Sequence, residues 1–346
     1  MSFKKFKGGS IDRILSLEEQ QLKINEVRKL LGSLSEELPS FCSDASISRF
    51  LRARNWNTKK ASKMFKETLK WRLEYKPDQI HWEDVAQEAE TGKLYKANYL
   101  DKEGRAVIIL RPGFQNSSSK RGQIKFLVYS LENTIHNLAP GQDQMVWLID
   151  FTNWNLSSIS VKVTQETTHI LQDYYPERLA LAIVYNPPKI FESFWKIVKP
   201  LLDTKTYKKV RFVYPDDPES QKIMEDLFDK DKLESALGGR NSVGFSFKEY
   251  SERMEEEDKR RFADQNSDVL CLSQQQSLVS ILHGPQALIS SDPSSDEATS
   301  SSGPPSPNPN TTESSDEKMQ GDGPLSCKNC IKMLEEIPTD NLQVNE

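Results

Sequence analysis

Four short apolar runs, separated by segments of helix length, constrain the fold of this chain more than any other feature. The runs occupy residues 107–110, 145–149, 179–185 and 210–214. Continuous apolar runs of this length are typical of strands buried on both faces, and helices between them are typical of parallel connections. The pattern therefore predicts an α/β fold with a mainly parallel sheet.

The residues before the first run have the spacing of a small helical lobe. Apolar residues recur at roughly helical intervals over 10–40, and Ser43 is a typical N-cap for the helix that follows. A third helix is predicted to begin near Asn57 and to stop before Pro77. Later helices are predicted at 124–138, 158–174, 190–203, 218–228 and 247–262. The chain is thus divided into a helical lobe at 1–95, a sheet-containing lobe at 96–262 and a tail at 263–346.

The tail differs in composition from the rest of the chain. Residues 262–346 hold three basic and thirteen acidic residues and eight of the 18 prolines, so residues 1–261 carry a net charge of +5. Such a tail buries too little apolar surface to offset the entropy of ordering, so we expect disorder. Its Ser-Ser-Asp-Glu repeats at 294–297 and 314–317 suit an acid-directed kinase or arise by chance, and the apolar island at 279–288 suits a protein partner.

The remaining composition limits the classes of function. The net charge of +5 on residues 1–261 is too weak to predict nucleic-acid binding, but it suits contact with an anionic membrane surface. The sequence has no apolar stretch of about 18 residues that could span a membrane, and its basic N-terminus lacks the apolar core of a signal peptide. Four cysteines do not indicate a disulfide framework. We therefore expect a cytoplasmic protein that visits membranes peripherally, as a monomer.

Sequence motifs of common enzymes and metal sites are absent. The chain has no phosphate-binding P-loop, no dinucleotide-binding glycine motif after the first parallel strand, no Gly-x-Ser-x-Gly elbow and no His-Glu-x-x-His. Cys327 and Cys330 form a lone Cys-x-x-Cys without the second pair that a zinc site requires, and two free thiols are the simpler interpretation. We therefore expect no catalytic residues, no metal and no cofactor.

The segment at 190–203 has an unusually wide apolar face for a surface helix. That face consists of Ile190, Phe191, Phe194, Trp195, Ile197, Val198, Leu201 and Leu202. Lysines flank it at 196, 199, 205, 208 and 209. This pattern fits either a helix that covers an apolar cavity and lies on a lipid surface, or an ordinary core helix with a solvated lysine edge.

Three further motifs carry a family resemblance. Phe-Leu-Arg-Ala-Arg occupies 50–54, Tyr-Tyr-Pro-Glu-Arg occupies 174–178, and Lys-Pro-Leu-Leu-Asp occupies 199–203. In this order they resemble the CRAL-TRIO lipid-binding family, and more closely its phosphatidylinositol transfer branch, over about 44–247. The resemblance implies a helical N-terminal lobe, an α/β lobe that encloses one phospholipid, and a gate over the acyl chains formed by the helix around 190–202.

The resemblance also implies positions for the lipid headgroup. Arg54 falls where the family places a basic contact to the inositol phosphate. The other positions that match the inositol headgroup site are Glu177, Asp203, Thr206 and Lys209. The chemistry is consistent, because cations and hydroxyls suit a phosphodiester and inositol hydroxyls can donate to carboxylates. A structural ion pair is the alternative interpretation of each position.

At the second-ligand positions this sequence departs from the family. Branch members that also carry phosphatidylcholine hold its headgroup with hydroxyl side chains, whereas the corresponding positions here are Ala97, Ile108, Met145 and Trp147. Burying a choline phosphate without those partners would cost ~1–3 kcal/mol for each unmet group. The departure argues against phosphatidylcholine and favours a sterol-like or other apolar second ligand.

Two functions follow from these inferences. The first is a non-catalytic protein that binds phosphatidylinositol in a gated cavity and transfers it between membranes. The alternative is an adaptor of the same fold that senses an apolar ligand and signals through its tail to a protein partner or kinase. Both predict membrane phospholipids as partners, a bound phospholipid in place of a cofactor, and no nucleic acid.

Overall fold

The N-terminal part of the structure is a cluster of helices. The computed structural model describes residues 15–155 and 160–282; the side chains of residues 161 and 266–282 are not part of that description. The first helices are α1 (Leu17–Leu31), α2 (Leu34–Glu37), α3 (Asp44–Ala53), α4 (Thr58–Tyr75) and α5 (Ala86–Ala89). Their shared core includes Phe50 and Phe65, whose rings stack with centroids 4.2 Å apart.

Helix boundaries in this region follow local capping chemistry. Ser43 and Asn57 each accept a backbone hydrogen bond at the start of α3 and α4, as the sequence predicted. The prediction of one helix over 10–40 was wrong in extent. A capping box at Ser16 begins α1, and Gly32, with φ of 61°, ends it before the short α2.

A five-stranded sheet forms the centre of the described chain. Its strands are β1 (Leu94–Leu100), β2 (Ala106–Leu110), β3 (Met145–Asp150), β4 (Leu179–Tyr185) and β5 (Val210–Val213), in that spatial order. Strands β2 to β5 are parallel and β1 pairs antiparallel with β2. The α/β class with a mainly parallel sheet is confirmed, and β1 is the strand that the sequence pattern missed.

Helices connect and cover these strands. They are α6 (Lys120–His136), α7 (Val161–His169), α8 (Phe191–Val198), α9 (Thr204–Lys208), α10 (Pro218–Leu227) and α11 (Phe247–Leu282). A single π-helical turn, Ile170–Tyr174, follows α7; such turns are frequent at functional sites. The described residues up to Phe262 form one compact unit, and a second unit begins at Ala263.

The gate segment, residues 190–203, is shorter and more irregular than the helix predicted there. Its α-helical part is α8, and Pro200 lies in the 3₁₀ turn Lys199–Leu201 that follows. Proline lacks the amide hydrogen that an α-helix needs at an interior position, so the helix tightens into this turn. Asp203 then caps the five-residue helix α9.

Helix α11 continues beyond its predicted end at residue 262. It extends to Leu282, so it includes the first part of the predicted tail and the first residues of the apolar island at 279–288. The rest of the tail and of the island, with the predicted thiol pair and serine repeats, lies outside the described residues.

Candidate functional site

A cavity of about 440 Å³ brings together the polar residues that the sequence singled out. Its walls come from the loop after α3, strand β3, the π-helical turn, the segment before β4 and the residues that end the gate segment. The volume lies within the ~300–1,000 Å³ range of small-molecule pockets. All five predicted headgroup residues line it, and we call them the headgroup cluster: Arg54, Glu177, Asp203, Thr206 and Lys209.

Glu177 and Lys209 form the most sheltered pair of this cluster. The Lys209 Nζ lies 3.7 Å from a carboxylate oxygen of Glu177, and it donates a 2.7 Å hydrogen bond to the backbone oxygen of Leu179. Glu177 follows Pro176 and has a φ of 59°, an uncommon conformation for a residue with a side chain. The backbone therefore accepts strain at the position where this carboxylate enters the cavity.

Asp203 and Thr206 are held together by helix capping. The Asp203 carboxylate accepts hydrogen bonds from the Thr206 amide at 2.8 Å and from the Thr206 hydroxyl at 2.7 Å. The Asp203 amide in turn donates to the side chain of Gln172 at 2.7 Å, and the Gln172 amide nitrogen donates to the oxygen of Leu201 at 2.8 Å. Gln172 thus fastens the end of the gate segment to the π-helical turn.

Arg54 reaches the cavity from the helical lobe. Its guanidinium lies 3.6 Å from the Asp173 carboxylate, which also contacts His169 Nδ1 at 2.6 Å. Lys205 joins the same edge, because its Nζ donates a 2.7 Å hydrogen bond to the backbone oxygen of Arg52. The charged residues that line the cavity are four cations (Arg54, Arg178, Lys205 and Lys209) and two carboxylates (Glu177 and Asp203). The surplus of positive charge suits an anionic ligand.

The apolar wall of the cavity includes only two of the four second-ligand positions. Met145 and Trp147, both on β3, line it and are buried. Ile108 is buried beside Trp147 in the strand register but does not line this cavity. Ala97 lines a smaller, separate pocket of about 200 Å³. The structure therefore does not bring these four residues to a single place.

The predicted gate residues likewise fall into two groups in different places. Val198 and Leu202 line the cavity, whereas Phe191, Phe194 and Trp195 pack in a separate aromatic cluster with Phe151, Trp154 and Phe212. Phe191 is buried there, with its ring centroid 4.5 Å from that of Phe151. Ile190 is 48% exposed. The gate segment therefore lines the cavity with its C-terminal end and packs its N-terminal end in the aromatic cluster.

Sequence reasoning missed several polar residues of the site. Gln172 and Arg178 line the cavity, as do the hydroxyl-bearing Thr167 and Thr168. Arg178 belongs to the Tyr-Tyr-Pro-Glu-Arg motif and directly follows Glu177, so its position in the sequence could have indicated that it lies at the site. Gln172 had no such signal, because its hydrogen bonds depend on the fold.

A buried ion pair supports the wall of the site. Arg72 donates two hydrogen bonds to the Glu132 carboxylate, at 2.7 and 3.0 Å, and the Tyr175 hydroxyl donates a third at 2.6 Å. Burial alone would raise the pKa of Glu132, but the Arg72 charge and these hydrogen bonds lower it below its ordinary value of 4.5. Burial, together with the negative charge of Glu132, raises the pKa of Tyr175.

Two features are absent from the residues that the structure describes. Within 15–155 and 160–282, no group of three or more histidine, cysteine or acidic side chains is placed to hold a metal ion. No helix in the same ranges is both long and apolar enough to cross a membrane.

Two family models match the chain, and a solved structure shares its fold. The CRAL/TRIO domain matches residues 89–239, and the CRAL/TRIO N-terminal domain matches residues 22–67. The crystal structure of Sfh5 aligns with a TM-score of 0.56 over 69% of this chain and 92% of that chain, at 14% sequence identity. At this identity the likeness concerns the fold alone.

Sequence relatives cover part of the chain. A CRAL-TRIO domain-containing protein of Schizosaccharomyces pombe is 34% identical over 205 residues, which are 59% of this chain and 19% of that protein. Phosphatidylinositol transfer protein PDR17 of Saccharomyces cerevisiae is 32% identical over 180 residues, 48% of this chain and 51% of its own. SEC14 cytosolic factor of Kluyveromyces lactis is 27% identical over 245 residues, which are 65% of this chain and 79% of that protein. The chain thus spans about a fifth of the length of the first relative and about half of the length of the second.

Proposed function

The chain belongs to the CRAL/TRIO family of lipid-binding proteins, and on this premise we propose that it binds phosphatidylinositol and transfers it between membranes without catalysing a reaction. One observation carries the proposal: a single cavity combines apolar walls with the complete headgroup cluster. Its four cations and two carboxylates match the two needs of the ligand, since the phosphodiester is an anion and the inositol ring offers hydroxyl donors.

Each member of the headgroup cluster would have a distinct task. Arg54 and Lys209 would neutralise the phosphodiester, and the Thr206 hydroxyl would donate to it. The Glu177 and Asp203 carboxylates would accept hydrogen bonds from inositol hydroxyls. In this arrangement Lys209 exchanges its Glu177 contact for the lipid phosphate, so binding replaces one charge partner with another.

The gate segment provides the route for the acyl chains. Val198 and Leu202 cover the cavity, and displacing them would open an apolar path beside Met145 and Trp147. Transfer of each CH₂ from water into such a wall is worth ~0.8 kcal/mol, about what a bilayer also offers, so exchange between cavity and membrane is balanced rather than one-way. The exposed Ile190 and the lysines at 189, 196 and 199 would contact an anionic membrane during this step, and the protein would act in the cytoplasm, peripherally on membranes.

Transfer of labelled phosphatidylinositol between vesicles tests the proposal. We expect Glu177→Ala combined with Lys209→Ala to slow this transfer at least tenfold, because both partners of the headgroup are removed. Lys230→Ala with Glu225→Ala is the matched control, since this exposed pair lies outside the cavity. Wild-type transfer by the cavity variant would contradict the headgroup assignment.

Met145 and Trp147 support a more specific proposal for the second ligand. Neither side chain offers a hydroxyl, and both line the buried wall on β3, whereas the hydroxyls of Thr167 and Thr168 enter the cavity from α7. We infer that a second ligand is an apolar molecule rather than phosphatidylcholine. Mass spectrometry of the lipids that copurify with the protein tests this, and phosphatidylcholine as the dominant companion of phosphatidylinositol would contradict it.

A further inference from the structure

A second, smaller cavity lies behind the wall that carries Glu177. It encloses about 200 Å³ between the helical lobe and the residues that precede β4. Three arginines line it, Arg49, Arg72 and Arg178, but only one carboxylate does, Glu132. We call this pocket the arginine cleft.

The charges around the arginine cleft do not cancel. The Arg72 charge is balanced by Glu132 through their paired hydrogen bonds. Arg49 and Arg178 share one remaining carboxylate, that of Asp143, at 2.9 and 3.6 Å, and the half-exposed Arg52 shares it too at 3.3 Å. Arg72 has a second carboxylate nearby, that of Asp78 at 4.0 Å. The four arginines around this joint therefore carry one more charge than the three carboxylates beside them.

The surplus charge is sheltered from solvent. The side chains of Arg49 and Arg178 are only 8% and 13% exposed. Burial, followed by repulsion from Arg49, lowers the pKa of Arg178 to about 10. A buried cation without a full counter-ion is costly, so the cleft is an environment in which an added anion would be stabilising.

Arg178 also has unused hydrogen-bond donors. A guanidinium carries five N–H groups, yet among the described residues the one acceptor for Arg178 is the backbone oxygen of Asp143, 3.0 Å from Nη1. Its Nε and Nη2 therefore lack protein acceptors in that part of the chain. The fork formed by these two atoms has the spacing that binds two oxygens of a carboxylate or phosphate.

We propose that the arginine cleft binds one small oxyanion of the phosphate class, held by Arg178 and Arg49 at the joint between the helical lobe and the sheet. A volume of about 200 Å³ is less than half that of the lipid cavity and has room for a phosphate ion. This site is additional to the lipid cavity, although Tyr175, Pro176 and Arg178 line both. Its anion would complete the charge balance of a wall that the lipid contacts from the other side.

Titration of the full-length protein with inorganic phosphate, at constant ionic strength in chloride, tests the site by calorimetry. We expect one phosphate per chain and at least tenfold weaker binding in Arg178→Gln. A second variant, Ile135→Phe, narrows the cleft without changing its charge and should weaken phosphate binding as well. Lys208→Gln removes an exposed cation outside the cleft and should leave binding at the wild-type level. Circular dichroism and thermal melting establish that each variant is folded.

The phosphate group bound in the arginine cleft could be a free ion or part of a lipid headgroup. The titration is therefore repeated on protein loaded with phosphatidylinositol. Unchanged phosphate binding by the loaded protein would support a separate site, even if the protein failed to transfer lipid. Three results would overturn the proposal: no saturable binding by the wild type, loss of binding on lipid loading, or wild-type binding in both Arg178→Gln and Ile135→Phe.

Discussion

Lys209 Nζ lies 3.7 Å from the Glu177 carboxylate in the wall of the cavity, so the two residues proposed to hold opposite sides of the headgroup already face each other. The pair is largely sheltered, with 25% and 17% of the two side chains exposed. A preformed pair of this kind is already ordered before a ligand arrives, so binding costs little additional side-chain entropy.

Two substitutions of Glu177 can distinguish the effect of its carboxylate on lipid binding from the effect of its backbone conformation on stability. Its φ of 59° is natural for glycine but costs roughly 1–2 kcal/mol for a residue with a Cβ atom. We therefore expect Glu177→Gly and Glu177→Ala to lose phosphatidylinositol binding equally, because both remove the carboxylate. In urea denaturation, Glu177→Gly should be about 1 kcal/mol more stable than Glu177→Ala. Equal stability of the two variants would mean that the positive φ is not maintained in solution.

Gln172 is predicted to control the end of the gate segment. Gln172→Leu removes its hydrogen bonds to the Asp203 amide and the Leu201 oxygen, each worth about 0.5–1.5 kcal/mol. Hydrogen exchange should therefore accelerate at the Asp203 amide, and the rate of lipid exchange should change with it. Gln172→Glu is the matched variant, because it keeps the acceptor for Asp203 and loses only the donor to Leu201. Exchange at Asp203 that is identical in both variants and wild type would show that this contact does not hold the segment.

The sequence predicted the buried parallel strands better than it predicted irregular elements, and the five headgroup positions that the family resemblance implied line one cavity. Strands β2 to β5 are continuous apolar runs, which is the signal of burial on both faces. Strand β1 was missed because Lys96 and Asn98 interrupt it. Lys96 is nevertheless buried, since its ammonium group pairs with Glu257, 161 residues further along the chain. No local pattern can reveal a partner at that separation.

Local chemistry explains the other differences. Pro200 and Gly32 are both visible in the sequence, and each shortens a helix that apolar spacing alone would extend. The contact between Gln172 and Asp203, by contrast, requires the π-helical turn to meet the gate segment. Such a contact between distant segments could be found only once the fold was known.

The buried pair of Glu132 and Arg72 should dominate the stability of the wall behind the cavity. Glu132→Gln leaves the buried Arg72 charge with only the more distant Asp78 carboxylate, at 4.0 Å, and we expect a loss of about 3–5 kcal/mol in the free energy of unfolding. Glu166→Gln breaks the more exposed contact with Lys120 and should cost about 0–1 kcal/mol. Replacing both Glu132 and Arg72 with apolar residues should recover much of the loss. Denaturant titration of the three variants measures these differences, and similar values for the Glu132 and Glu166 variants would refute the buried-pair interpretation.

The same pair predicts a pH dependence. Because the pKa of Glu132 in the folded protein is lower than its ordinary value of 4.5, the folded state binds this proton less tightly than the unfolded state. The resulting stabilisation is fully present above pH 4.5 and is lost as the pH falls through the lowered pKa. Stability of the wild type measured between pH 7 and pH 3 should therefore decline more steeply than that of Glu132→Gln. Parallel curves would exclude Glu132 as the source.

Trp147 should report directly on lipid in the cavity. It lines the apolar wall, whereas Trp195 packs in the aromatic cluster of the gate segment. Bromine atoms on an acyl chain quench tryptophan fluorescence only at close range, so loading with brominated phosphatidylinositol should quench mainly Trp147 among the six tryptophans of the chain. We expect Trp147→Phe to lose most of the quenching and Trp195→Phe to retain it, with wild-type lipid loading checked in both. If Trp195→Phe instead abolished the quenching while Trp147→Phe preserved it, the acyl chains would lie under the aromatic cluster, and the cavity assigned to the lipid would be the wrong one.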